Sequence, residues 1–268
     1  MAKSNMENIG LALGSGGARG YAHIGAIRAL IEEGWKPDLI TGSSIGALIG
    51  VLYSFYGDID EVETVMLDSY WREVFGMVRP SLKSGVIPSE KIQGFLNRFI
   101  EDVALEELSI PVGIIATDFH TSQAVLIKKG SATQAVHASI AFPLFIEPLK
   151  VKNRILWDGG LASQVPTEAA RQMGATRIIG VNLNSTPEKT PSIEELNPYT
   201  VGVKAIRSLQ YHMTRVSMEG ADIDISPELD PTTLLGFGML VKKDEGKEII
   251  EKGYREAKKI IKEIKNEK

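Results

Sequence analysis

The chain has 268 residues, 43% of them hydrophobic and 24% charged, with a formal net charge of −4, proportions at which a core can be buried without disulfides. Cysteine is absent, which excludes disulfides, thiolate metal sites and a cysteine nucleophile together, and the mild negative charge without a long basic block argues against nucleic acid as partner. No apolar run reaches the roughly 18 residues of a membrane span and none of signal-peptide length precedes the first glycines, so the expected location is the cytoplasm, with transient contact at the inner membrane surface.

Nothing reads as a linker, and a single α/β domain over 1–268 is expected. Ile9 to Leu13 is a first strand, followed by the glycine-rich turn GSGGARG (14–20) and a helical pattern from Tyr21 to Glu33 that stops at Gly34. Asp38 to Thr41 is a second strand. GSSIG (42–46) turns it into a small apolar helix, Ala47 to Phe55, closed by Gly57. The stretch 59–108 has irregular helical spacing and is expected to be a helical insertion or cover over one end of the sheet, with Trp71, Phe75 and Met77 as apolar residues able to meet lipid.

Strands are expected again at Val112 to Thr117, Ala124 to Ile127 and Ile155 to Trp157, the last running into Asp158-Gly159-Gly160, with a helix from Ala132 to Ala138 between. Ile178 to Asn182 and Ile223 to Ile225 are further strands, and Val201 to Val216 is a helix. The region 242–268 is a C-terminal amphipathic helix whose stripe includes Ile250, Tyr254, Ala257 and Ile261. Its lysines suit an anionic membrane, but interleaved acidic residues favour packing on the sheet. Strands alternating with helices predict a mostly parallel sheet.

Three local patterns carry chemistry. Gly42-Ser43-Ser44-Ile45-Gly46 fits G-x-S-x-G at a strand-to-helix turn, which lifts the Ser44 hydroxyl clear of the sheet and aims a helix N-terminus at it. Gly14, Gly16, Gly17 and Gly20 leave backbone N–H groups unshielded, as an oxyanion or a phosphate requires. A dinucleotide fingerprint from Gly14 would need glycine at 19, where Arg19 stands, and no Gly-Lys-Ser/Thr closes a P-loop. Asp158 directly after a strand is an ordinary turn residue on its own. Beside a strand-end serine it is a base, provided close contact and desolvation raise its proton affinity.

The blocks LALGSGGARGYAHIGAIRALIEEG, TGSSIGALIG, ATDFHTSQAVLIKKGSATQAVHASIAFP and ILWDGGLASQVPTEAARQMGATRIIGVNL, in that order, resemble those of bacterial and archaeal patatin-like phospholipases, and cover most of Ile9 to Leu183. The resemblance implies a three-layer α/β/α sandwich related to the catalytic domain of cytosolic phospholipase A2, and a serine–aspartate dyad without histidine. It carries the nucleophile onto Ser44, the aspartate onto Asp158 and the oxyanion donors onto the N–H groups of Gly16 and Gly17. Ser15 stands where the family has its first glycine. The implied substrate is a lipid or other acyl ester, hydrolysed as by a phospholipase, lysophospholipase or carboxylesterase, with no cofactor or metal.

Other residues have plainer readings. Arg19 steadies the loop or meets an anion, the structural role being preferred. Asp118 caps a turn, and His137 packs. Phe142, Pro143, Leu144 and Phe145 are core by default, an acyl groove being the alternative. Two rival functions remain: an α/β-hydrolase-type esterase with a Ser44–Asp158–His212 triad, and a non-catalytic lipid-binding protein. A nucleophile this near the start of the chain leaves little room for the strands that precede the elbow in the first rival.

Overall fold

The structure, a computed structural model, describes residues 7–67, 87–187, 193–229 and 243–266. Its strands are β1 (Ile9–Leu13), β2 (Leu39–Ser43), β3 (Val112–Asp118), β4 (Ala124–Ile127), β5 (Leu149–Val151), β6 (Arg154–Trp157), β7 (Arg177–Val181) and β8 (Ile223–Ile225). They form an 8-stranded sheet in the order β5-β6-β3-β2-β1-β7-β8, with β4 also paired to β3. The centre is parallel: β1 lies between β2 and β7, β2 pairs with β3, and β7 with β8. The edge beyond β3 is antiparallel, through β4, β6 and β5.

The helices are α1 (Tyr21–Glu32), α2 (Ile45–Tyr56), α3 (Ile59–Leu67), α4 (Ser89–Ile100), α5 (Ala132–Ile140), α6 (Thr167–Gln172), α7 (Pro198–Met218) and α8 (Lys243–Asn266). Side-chain alternation along a strand sends neighbours to opposite faces. Leu11 and Leu13 accordingly enter the large core with residues of α1, α2, α4 and α5, while Ala12 joins a smaller cluster with Val165, Ala170 and Ile178. The sheet is therefore covered on both faces, a three-layer α/β/α sandwich. Its β-branched and leucine runs are continuously apolar because a doubly covered parallel strand has no solvent face.

Two elements lack a sequence signal: β5, three residues interrupted by Lys150, and α6, six residues, both too short for a period to register. In the described part of 59–108 one side of each helix is core, with Val62, Met66, Ile92, Phe95, Leu96 and Ile100 buried. Trp71, Phe75 and Met77 lie outside the described residues. The C-terminal helix α8 packs mainly against α1, with a smaller contact on β8 at the edge of the sheet. Gly25 and Gly253 permit this, since a Cβ at Gly253 would stand 2.1 Å from the Ala22 carbonyl oxygen. Lys258 of α8 ties the two helices as well, its Nζ lying 3.0 Å from Glu32 and 2.7 Å from Glu33.

Candidate active site

Because β1 and β2 are parallel neighbours, with Leu13 beside Gly42, the turns that follow them emerge together at one edge of the sheet, where ligands of open α/β sheets bind. Ser44 occupies the single position between β2 and α2, with φ 53° and ψ −121°. This is a left-handed-side conformation costly for a residue with a Cβ. The bend survives because its neighbours lack side chains: a Cβ at Gly46 would fall 2.2 Å from the Leu13 carbonyl oxygen, and one at Gly42 would fall 2.5 Å from the Ala47 backbone. A side chain from elsewhere also holds it. The Ser44 N–H donates to Ser139 Oγ (2.8 Å), whose own hydroxyl donates to the Ile115 carbonyl (2.6 Å).

The Ser44 hydroxyl donates to Asp158 Oδ2 at 2.6 Å, the distance of a charge-assisted bond. Asp158 lies at the end of β6, is 1% exposed, and accepts the Gly160 N–H on its other oxygen at 2.8 Å. Its backbone carbonyl accepts the Thr117 hydroxyl at 2.8 Å, which ties the turn to β3. Burial pushes the Asp158 carboxyl up to about 6 against the opposing pull of the Ser44 hydroxyl, the Gly160 N–H and the positive charge of Arg207. A carboxylate so placed is a stronger base than one in water.

The glycine loop meets this pair at the elbow. A Cβ at Gly20 would collide with Ile45, the residue after Ser44, at 2.0 Å. Within the loop the N–H groups divide. Gly14 N–H donates to the Val181 carbonyl (3.0 Å) and Ser15 N–H to the Gln164 carbonyl (2.8 Å), whereas those of Gly16 and Gly17 donate to no partner among the described residues. Gly17 has φ +57°, a conformation glycine adopts without penalty. Ser15 is thus removed as a donor by its own backbone bond.

The loop is braced from the far side of the site. Arg19 is buried, and its Nη1 donates to the Leu183 and Thr186 carbonyls and to Asn184 Oδ1, each at 3.2 Å; this geometry matches a loop brace. Asn184 Nδ2 donates to the Ser15 carbonyl (3.0 Å) and to Gln164 Oε1 (2.9 Å), and Gln164 Nε2 donates to the Gly160 carbonyl. One polar network therefore connects the glycine loop with the Asp158 turn. Ser139, Thr117, Gln164 and Asn184 escaped the sequence reading. Thr117, Ser139 and Gln164 had one signal, their position in the four blocks, and Asn184 lies one residue beyond the last of them.

The histidines lie apart from the pair. His23 is fully buried with its pKa lowered to about 4 by desolvation, and its Nε2–H donates to the Gly14 carbonyl at 2.7 Å. His137 is bonded to the Glu147 carbonyl (3.0 Å) and to Gln93 (3.3 Å). His212 makes no hydrogen bond to Ser44 or Asp158 among the described residues. It sits instead in a cleft of about 190 Å³ with Pro187, Lys204, Arg207, Ser208 and Tyr211. Arg207 joins that cleft to the site: its guanidinium lies 4.8 Å from the centre of the Phe142 ring, and its Nη2 lies 3.4 Å from where a Gly17 Cβ would be. Phe142 and Phe145 are buried, Leu144 is exposed, and Asp118 caps its turn by accepting the His120 and Thr121 N–H groups, both at 3.0 Å.

The patatin-like phospholipase family model matches residues 11–171. An uncharacterized NTE family protein of Mycobacterium tuberculosis is 38% identical over 184 residues, covering 68% of this chain and 51% of its own length. Human patatin-like phospholipase domain-containing protein 6 is 31% identical over 190 residues, 68% of this chain and 14% of its own. The chain thus spans about half the length, or less, of these curated relatives. Among solved structures, VipD from Legionella pneumophila superposes with a TM-score of 0.56 at 13% identity, covering 96% of this chain and 67% of that one, a likeness of fold. Among the described residues no helix is long and apolar enough to cross a membrane. The matched region takes in β1, the glycine loop, the elbow and the Asp158 turn, and the chain belongs to the patatin-like phospholipase family.

Proposed function

We propose that the protein is a serine acyl-ester hydrolase in which Ser44 is the nucleophile, Asp158 its base, and the N–H groups of Gly16 and Gly17 the oxyanion donors. The observation that carries this reading is the direct 2.6 Å bond from the Ser44 hydroxyl to the buried Asp158 carboxylate, with no imidazole between them. As Ser44 Oγ attacks the ester carbonyl, its proton passes to Asp158 Oδ2 and the carbonyl electron pair moves onto oxygen. The resulting oxyanion meets two N–H groups that donate to no partner among the described residues. Collapse expels the alkoxide, which takes the proton from Asp158 and leaves an acyl-serine. Water then repeats the sequence, giving its proton to Asp158 while its oxygen attacks, and frees the carboxylic acid and Ser44.

The test joins covalent labelling with turnover. A fluorophosphonate probe is expected to label Ser44 and to lose its target in Ser44→Ala, and a short-chain soluble ester is expected to be hydrolysed by wild type alone. A folded wild-type protein that neither labels nor turns over the ester would leave the non-catalytic lipid binder in possession.

A further inference from the structure

α7 is divided into three faces. Val203, Gln210 and Thr214 are buried toward the protein. Val201, Leu209 and Val216 recur at helical spacing on another side and are 51%, 65% and 68% exposed. Lys204, Arg207 and Arg215 lie between, and no acidic residue occurs from Pro198 to Met218, although the chain as a whole carries −4. Ile193 and Leu196, just ahead of the helix, are exposed as well.

Isolated exposed leucines and valines are ordinary, but an apolar stripe flanked by cations and free of acids is the composition of a helix that lies in a lipid interface. α8 shows the contrast: it is the more amphipathic of the two, yet its apolar stripe is buried on α1. Arg207, at the border of the buried face, reaches the site against Phe142 and Gly17.

We propose that α7 is the membrane-docking element of this protein, seating Val201, Leu209 and Val216 among the acyl chains of an anionic bilayer while Lys204 and Arg215 meet its phosphates. Charge complementarity selects this occupant. A second copy pairing through the same stripe would bring two cationic faces side by side, whereas the surface potential of an anionic leaflet attracts them. The proposal deepens the hydrolase reading, because docking on α7 brings the glycine loop to the lipid, and it rests on that reading for its purpose.

The experiment is co-sedimentation of the full chain with vesicles of phosphatidylglycerol or of phosphatidylcholine, in the Ser44→Ala background so that lipid is not consumed. Binding to phosphatidylglycerol is expected to exceed binding to phosphatidylcholine and to weaken steeply with salt. Leu209→Ser with Val216→Ser should weaken it about tenfold or more, and Lys204→Gln with Arg215→Gln about thirtyfold. All four side chains lie at or near the surface, so melting temperatures should hold. With Ser44 restored, the rate on a soluble ester should stay unchanged in both double variants. Absence of vesicle binding, binding untouched by either double variant, or an apolar stripe whose loss instead dissolves a dimer would each overturn the docking proposal. Vesicle binding intact in a protein that never hydrolyses the soluble ester would sink the hydrolase reading and leave docking standing.

Discussion

The two strand–turn–helix units at the centre of the sheet begin alike and end differently. β1 reaches α1 through Gly14–Gly20, a loop of several residues, whereas β2 reaches α2 through Ser44 alone. The first unit presents backbone: side chains are absent at Gly16 and Gly17, and the loop's shape depends on outside braces, chiefly Arg19 and Asn184. The second presents one side chain and carries its cost in its own backbone, at φ 53°. Adding atoms should therefore harm the first unit and removing them the second, and their stabilities should respond in different directions.

The largest effect is expected at the elbow. Ser44→Ala removes the attacking oxygen and little volume, and should lower kcat on a soluble ester by on the order of 10⁶ with a nearly unchanged melting temperature. Ser44→Gly should be equally inactive but about 1 kcal/mol more stable than Ser44→Ala, because glycine takes the positive φ without strain. Equal stability of the two variants, measured by urea denaturation, would mean that the elbow stores no strain and the contrast between the units is lost.

Asp158 comes next. Asp158→Asn should cost at least about 10⁴ in kcat, since an amide oxygen does not accept the serine proton. Its stability effect carries a definite sign. The carboxyl sits at about 6 in the folded protein against an ordinary value of 3.8, because burial disfavours the charge. The stability this group contributes is therefore full below pH 3.8 and lost as pH rises through about 6. Asparagine has no charge to bury. The variant should gain up to about 3 kcal/mol over wild type at pH 8 and almost nothing at pH 3.5. In wild type the same ionisation should give kcat/KM an acid limb near pH 6. A limb near pH 4, or a variant no more stable than wild type at pH 8, would mean that the carboxylate is not desolvated as its burial implies.

The glycine loop should respond to added atoms. Gly16→Ala and Gly17→Ala are each expected to lower kcat by about 10²–10³ with KM little changed, since the oxyanion forms only beyond the ground state. Their structural costs differ. At Gly17 the cost is positive φ, roughly 1–2 kcal/mol. At Gly16, whose φ of 170° suits any residue, the new methyl would meet Leu183 Cβ at 2.7 Å, and that leucine is buried. Parallel melting curves separate loss of the donors from loss of the loop, and a Gly17→Ala protein with unchanged kcat would remove its N–H from the proposed oxyanion site.

The parts of this site that were legible in the sequence are those set by chain-local rules. Gly42 and Gly46 flank Ser44 because a tight turn admits nothing larger, and the glycines of the first loop announce exposed backbone wherever they occur. Ser44 and Asp158 announce themselves by standing at strand ends, but their contact spans 114 residues and follows only from the order β3-β2-β1 with β6 beside β3. The braces were not legible for the same reason. A serine in the last turn of a helix, such as Ser139, or a glutamine after a turn, such as Gln164, has no pattern of its own. Its role appears only when another segment brings an N–H or carbonyl to it. The three faces of α7 were half legible: the spacing reads as a helix, but which side meets the protein depends on where the sheet lies.

The smallest effect, and the one that bears most directly on mechanism, is expected at His212. His212→Ala should keep soluble-ester activity within about twofold of wild type, because the imidazole makes no hydrogen bond to Ser44 or Asp158 among the described residues and the serine proton already has an acceptor at 2.6 Å. In a triad the histidine stands between hydroxyl and carboxylate, and its truncation costs several orders of magnitude. The elbow cannot hold both arrangements, since direct contact of Ser44 with Asp158 leaves no space for a ring. His23→Gln is the harder comparison. The amide can still donate to the Gly14 carbonyl that His23 now holds at 2.7 Å, so the strand-to-loop junction should survive and kcat should fall modestly, through displacement of the loop and not through loss of a base. Added imidazole separates the cases. Rescue of either variant would return a histidine to the proton path, while failure to rescue, with a melting temperature lowered in proportion to the lost activity, would leave Asp158 as the group that takes the proton and His23 as a support of the glycine loop.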